Sequence, residues 1–529
     1  MKRIIIVTAL LLAPLTVLNA AEWQWSVPVT AVQSAETGES PRAFLWIPPN
    51  CARVRGVVIG QHNMEEEPIL EHPTFRAALS ELGFAEIWVT PGWDLFFRFD
   101  KGAGEHFNAM MKAFAHASGY DELETVPVVP LGHSAAASYP WNFAAWNPAR
   151  TVCVLSVSGQ WPFYKDQNTP DWGDRKIDGV PGLVCMGEYE DAAGRAGEGL
   201  KQRAAHPMLP LSMLQEPGAG HFDVTDDKVA YIALYLKKAA RYRLGPIDPR
   251  KTGWLVDRWR RAEARQAPAA PVMQYSGHTQ EAFWYFDEEL ARATEAFKAD
   301  QNTKKAQLVG YVQDGQVAPQ NPKLHAQVNL KFLPVGDGLT FKLTGMFLDT
   351  VPEGRPEGWT GLPKGASLTH ATSGGPVIIN RICGPVEKQS DDTFAIRFYR
   401  MGMNNTKRSN EIWLTATHPG NSEYKRAVQQ AVLHFPLRNT EGKDQHIKLP
   451  EIQSDLKLNA TADSGLPVHY YVREGPAEIA GHTLRLTTVP PRAKFPVQVT
   501  VVAWQWGRGT EPKIRTAESV QQTFQIHAP

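Results

Sequence analysis

Between residues 54 and 242, short apolar runs alternate with segments of helical spacing, and this alternation restricts the fold more than any other feature. Strand-like runs fall at 54–61, 85–90, 126–131, 152–157, 181–186 and 212–215. Helical patterns fall at 74–82, 105–117, 135–146, 196–205 and 226–242. Runs that are apolar throughout belong to strands covered on both faces, and strand–helix–strand units make neighbouring strands parallel. The expected fold class is α/β: a mainly parallel sheet with helices on both faces, led by an antiparallel pair at 23–29 and 42–48. Ligands of such sheets bind beyond the carboxyl ends of the strands. Chemistry is therefore sought in the loops that leave that edge.

One of those loops differs from the rest. The run 126–131 turns abruptly through Gly132-His133-Ser134-Ala135-Ala136 and continues into helix-compatible sequence. Pro127 and Pro130 sit awkwardly within the strand, whereas Pro140 falls in the first turns of the helix, where proline is tolerated. Strand, small-residue turn, serine and helix together make a nucleophile elbow. The serine occupies a strained turn, so the positions two before and two after it must be small where strand and helix pack. Gly132 and Ala136 meet that need, with alanine where the usual pattern has glycine. The plainer reading is a helix start that Ser134 merely caps.

A serine hydroxyl needs a base and an acid that orients the base. His221 follows the last strand-like run in a Gly-Ala-Gly-His-Phe turn ahead of the final helix, and is the candidate base. The acid should leave the preceding strand, where Gly187-Glu188-Tyr189-Glu190-Asp191 offers three carboxylates. Glu190 is preferred; Glu188 and Asp191 stay open, because a one-residue shift of the loop changes which side chain faces the histidine. An oxyanion needs backbone donors. The Ala135 amide is one candidate, and the loop after 54–61 supplies the other: Asn63 first, Met64 second. His62 reads as a pocket-lining or buried residue rather than the base.

With elbow, acid loop, histidine and donor loop in this order, residues 23–244 resemble the α/β-hydrolase superfamily, specifically its exported serine esterases. The resemblance implies acyl transfer through Ser134, with His221 as base and then acid, Glu190 holding its tautomer, and water releasing the product acid. It implies no cofactor and no metal. The lack of a Gly-Gly pair after His62 departs from the family pattern at the oxyanion loop.

The chain has 529 residues, too many for one core, with 55 Lys+Arg against 55 Asp+Glu and no basic stripe, which argues against nucleic acid as a partner. Lys2 and Arg3, an apolar run at 4–18 and small residues at 19–21 read as a signal peptide over 1–21, so a secreted or periplasmic protein without a membrane span is expected. The four cysteines show neither zinc spacing nor a disulfide framework. After the α/β-hydrolase domain at 22–244, the sequence suggests a linker at 245–273, a β-rich domain at 274–445 with one leading helix at 279–299, and a small sandwich at 446–529. The sandwich resembles bacterial immunoglobulin-like modules. Such appendages suggest a substrate outside the cell, with a carbohydrate ester (acetyl or feruloyl) as the leading reading. Trp161 and Trp93 are candidate sugar-stacking residues, although aromatic residues in such loops more often pack a lid. Peptides, lipids or polyesters, and a non-catalytic binding role on a hydrolase scaffold, are the alternatives.

Overall fold

The computed structural model describes residues 22–242, 247–261, 263–299, 301–322, 327–403, 408–452 and 455–528. The segment 1–21 expected as a signal peptide, residues 245, 246 and 262 of the expected linker, and residues 325 and 326 of one expected strand lie outside the described residues.

An eight-stranded sheet forms the first half: β1 (Trp25–Pro28), β2 (Arg42–Trp46), β3 (Gly56–Gln61), β4 (Phe84–Thr90), β5 (Val128–His133), β6 (Val154–Val157), β7 (Gly182–Gly187) and β8 (Leu211–Glu216). The spatial order is β1-β2-β4-β3-β5-β6-β7-β8. β1 pairs antiparallel with β2, and β2 with β4; every later pairing is parallel. Intervening helices are α1 (Glu66–Leu70), α2 (Pro73–Leu82), α3 (Ala103–Ser118), α4 (Tyr139–Trp146), α5 (Ala192–Ala205) and α6 (Asp226–Tyr242). Strand alternation sorts side chains between the two faces. Val57 and Ile59 join a core with Phe107, Met111 and Phe114 of α3, while Val58 joins one with Phe75 and Leu79 of α2 and Ile232 and Leu236 of α6. This is the α/β-hydrolase arrangement, and it brings the ends of β3, β5, β7 and β8 to one edge.

The segment read as a linker carries β9 (Trp254–Asp257) and β10 (Ala270–Pro271). The segment read as one helix at 279–299 divides into β11 (Ala282–Tyr285) and α7 (Glu288–Lys298). Its start is a strand because Phe283, Trp284 and Tyr285 are all buried and pair with β9. This unit is anchored to β8: Ser212 Oγ donates to the Trp284 carbonyl at 2.5 Å, and Tyr285 Oη to that of Met213 at 2.6 Å. Its apolar residues share the core of the large sheet.

Beyond it, short strands assemble into several small sheets. The largest has four strands, in the order Val328–Leu330, Ala427–His434, Glu411–His418 and Ile378–Cys383. Its Trp413, Ile382, Cys383 and Val432 pack on Phe222, next to His221, with Met64 at the margin. Near the C-terminus, strands His469–Glu474, Val497–Trp504 and Val520–Ile526 form a three-stranded sheet. It returns to the start of the chain: Gly475 N–H donates to the Trp23 carbonyl and Ser26 Oγ to Glu474. No helix among the described residues is long and apolar enough to cross a membrane.

Candidate active site

Ser134 stands on the turn between β5 and α4 with φ +51°. The expected helix from 135 is broken there: a single 3₁₀ turn spans Ser134–Ala136, and α4 begins only at Tyr139. The turn is so tight that a Cβ at Gly132 would lie 2.1 Å from the Ala136 carbonyl oxygen. Only glycine fits at 132. The strain at a left-handed serine is held by the strand on one side and the buried helix on the other.

Ser134 Oγ lies 2.7 Å from His221 Nε2, and His221 Nδ1 lies 2.6 Å from Glu190 Oε2. With a carboxylate accepting at Nδ1, that nitrogen carries the proton and Nε2 is left to accept from the serine. Glu190 Oε1 accepts the Gly187 amide at 2.7 Å and the Ser158 hydroxyl at 3.0 Å. Burial pushes the Glu190 carboxyl up, but His221, the Gly187 amide and Lys228 outweigh it and hold it below its ordinary value. It is therefore a carboxylate at neutral pH.

The other two acids of this loop have different work. Glu188 accepts the Gly218 amide at 2.8 Å and pairs with Arg261 and Lys425. Asp191 caps α5 by accepting the Gly194 amide.

Two residues that sequence reasoning missed support His221. Ser158, at φ +45°, places its hydroxyl 2.8 Å from the His221 carbonyl while also reaching Glu190. His133 is fully buried and donates from Nε2 to the same carbonyl at 3.0 Å. His133 was visible as the residue before the serine. Ser158, at the end of β6, carried no signal beyond a serine at a strand end.

The donor loop differs from expectation. The amides of Asn63 and Met64 both donate to Glu66 Oε2, at 3.2 and 2.9 Å, and the His133 amide donates to Glu66 Oε1 at 2.6 Å. Asn63 Nδ2 donates to the His133 carbonyl. In this structure the Asn63 and Met64 amides are thus turned to Glu66 rather than to a substrate oxygen. Glu66 is the first residue of α1, and its side chain turns back over the loop that precedes the helix. Burial pushes the Glu66 carboxyl up to about 7, against these three amides. Ala135, by contrast, is exposed beside Ser134.

The three residues expected to line the substrate site are all buried. Trp161 stacks on Phe283 at 5.7 Å and donates from Nε1 to the Arg195 carbonyl. Trp93 packs edge-on against Phe97 and Tyr139. His62 bonds Thr90 Oγ1 at 2.7 Å and lies by Trp88; burial and then Arg408, Arg381 and Arg400 hold its imidazole well below its ordinary value. In each case the ring's surface is spent on core packing, which leaves no platform for a sugar. Of the aromatic loop after β6, Tyr164 is the residue that is exposed.

No protein-family model matches the chain, and no curated protein matches it. Among solved structures it is similar to a dienelactone hydrolase from Anabaena variabilis (17% identity, TM-score 0.28, 42% of this chain and 97% of that one). It is also similar to an S-formylglutathione hydrolase from Agrobacterium tumefaciens (13% identity, TM-score 0.31, 42% and 95%). A siderophore hydrolase from Aspergillus nidulans is a third (12% identity, TM-score 0.30, 41% and 95%).

Proposed function

We propose that this chain is a serine hydrolase of carboxylic esters. The observation that carries the reading is the continuous pair of hydrogen bonds from Ser134 Oγ through His221 to Glu190 at the carboxyl edge of the sheet. In this reading Ser134 Oγ attacks the ester carbonyl while His221 Nε2 takes its proton. Glu190 stabilises the imidazolium. Collapse of the tetrahedral intermediate expels the alcohol, which receives the proton from His221, and water activated by the same imidazole releases the acid from Ser134. With the Asn63 and Met64 amides held by Glu66, Ala135 is the backbone donor assigned to the oxyanion.

The finer reading is an exported enzyme acting on a carbohydrate ester, acetyl or feruloyl. It rests on the N-terminal signal pattern and the β-rich half, since Trp161 and Trp93 are committed to the core. Acetate release from acetylated xylan or pectin, compared with ferulate release from feruloylated glycan, tests it.

The hydrolase reading is tested on p-nitrophenyl acetate and butyrate. Ser134→Ala is expected to lower kcat at least about 10³-fold while leaving the unfolding midpoint near that of the wild type. Equal turnover by the two proteins would sink the assignment.

A further inference from the structure

His221 sits in the loop 217–223, between β8 and α6, and both ends of that loop are held by two consecutive residues from the antiparallel half of the chain. At the first end, the Gly218 amide donates to Glu188 Oε2 at 2.8 Å, and Lys425 Nζ lies 2.9 and 3.1 Å from the two oxygens of the same carboxylate. At the other end, Arg426 Nη2 pairs with Asp223 Oδ2 at 2.5 Å. Glu188, Asp223 and Lys425 are all buried. The backbone is fitted as closely as the charges. Gly218 has φ +72°, and a Cβ there would lie 2.6 Å from the Arg426 carbonyl oxygen. Between the two ends, Phe222 lies edge-on to His221 at 4.5 Å and packs on Trp413 at 4.8 Å.

Lys425 and Arg426 lead directly into the strand Ala427–His434, which pairs on both sides within the four-stranded sheet. Their backbone is thus fixed by a sheet outside the α/β region. A loop tied at two points to a rigid element has little freedom to swing its central side chain. The histidine–serine contact is sensitive to such motion, because a displacement of about 1 Å can cost about 10²-fold in rate.

We infer that Lys425 and Arg426 are positioning residues for His221: through Glu188 and Asp223 they set the loop from which the imidazole reaches Ser134. The inference rests on the hydrolase reading above, and the test separates the two. Full-length wild type, Arg426→Gln, Arg426→Lys, Lys425→Met and Ser134→Ala are treated with a fluorophosphonate probe. In that reaction Ser134 Oγ bonds to phosphorus, the serine proton passes to His221, and fluoride leaves. Labelling rate, kcat and KM on a p-nitrophenyl ester, and thermal midpoint are measured for each. Arg426→Gln and Lys425→Met are expected to label about 10- to 100-fold more slowly. Their kcat should fall in parallel, with KM changed less than about threefold, and Arg426→Lys should recover most of the rate. Lys425→Met retains Arg261 on Glu188, which keeps it foldable if Arg426→Gln is not.

Variants that fold and label at the wild-type rate overturn the positioning role and leave the hydrolase reading intact. Failure of folded wild type to label at Ser134 overturns the hydrolase reading itself. Loss of folding in both Arg426→Gln and Lys425→Met assigns these residues to interface stability and also overturns the positioning role.

Discussion

The central strands of both regions are buried, Ala427–His434 at all but its last residue, but the two regions differ at their margins. In the α/β region β3, β4, β5, β7 and β8 are buried at every position. In the antiparallel region the strand Val520–Ile526 alternates between half-buried and exposed residues, as a sheet with one wet face does. Charge follows a different division. The α/β region buries Glu67, Glu188 and Asp223, and their cationic partners Arg381, Lys425 and Arg426 come from the antiparallel region. Glu71 and Glu36 likewise pair with Arg400 and Arg408. Several acids of the α/β region thus find their cationic partners in the antiparallel region, whereas Glu65 and Glu216 find theirs in Lys228 of α6. A net charge of zero, read from composition, conceals this complementarity.

The largest expected effect tests how dry the α/β region is. Trp161 lies in the long loop after β6, yet it is buried against Phe283 of β11. Trp161→Ala is expected to cost about 3–5 kcal/mol in urea unfolding, the range for deleting a buried large aromatic side chain. A variant of wild-type stability with a raised KM would instead make this loop a ligand surface and break the contrast between the regions.

The next tests the dependence of one region on the other. Arg381 Nη2 lies 2.7 Å from Glu67 Oε1, and Glu67 is 1% exposed. Removing one partner of a buried pair strands the other charge. Arg381→Met should therefore destabilise the protein by about 3 kcal/mol, at the low end of such costs, because the Tyr399 hydroxyl at 3.0 Å and Arg400 at 3.7 Å still reach Glu67. Tryptophan fluorescence and far-ultraviolet circular dichroism should shift together. An unchanged midpoint would make the regions energetically independent.

Legibility in the sequence follows the same division. The α/β region is legible because its period switches between strand and helix; the spacing predicts a helix over 226–242, and α6 has those limits. The chain order of Ser134, Glu190 and His221 was readable too, since each leaves the carboxyl end of a recognisable strand. The exchange of partners was not. Glu66 closing on the Asn63 and Met64 amides depends on where one side chain turns. The burial of Trp161 depends on β11, which sequence pattern hid inside a helical segment because Phe-Trp-Tyr suits either state. Nothing local marks Lys425 and Arg426 as cations whose partners are remote in sequence. Two-body contacts between distant segments leave no periodic trace.

The smallest expected effect concerns an acid whose ion-pair partner lies within the α/β region. Glu86, in the middle of β4, pairs with Arg76 of α2 at 2.7 Å, while its second oxygen is buried without a hydrogen bond. Burial raises its carboxyl from 4.5 to about 8, with Arg76 opposing. The folded protein therefore keeps a proton that the unfolded chain releases above pH 4.5. The stability from this group is complete below that pH and is lost as pH rises through about 8. Its slope is at most about 1.4 kcal/mol per pH unit. Glu86→Gln retains an oxygen for Arg76 and has no proton to lose. Urea midpoints at pH 6 and 8 should fall more for the wild type than for Glu86→Gln, leaving the variant relatively more stable at the higher pH. Parallel declines would mean that Glu86 is charged throughout. Arg76 would then neutralise it within the α/β region as fully as Arg381 does Glu67 from outside it.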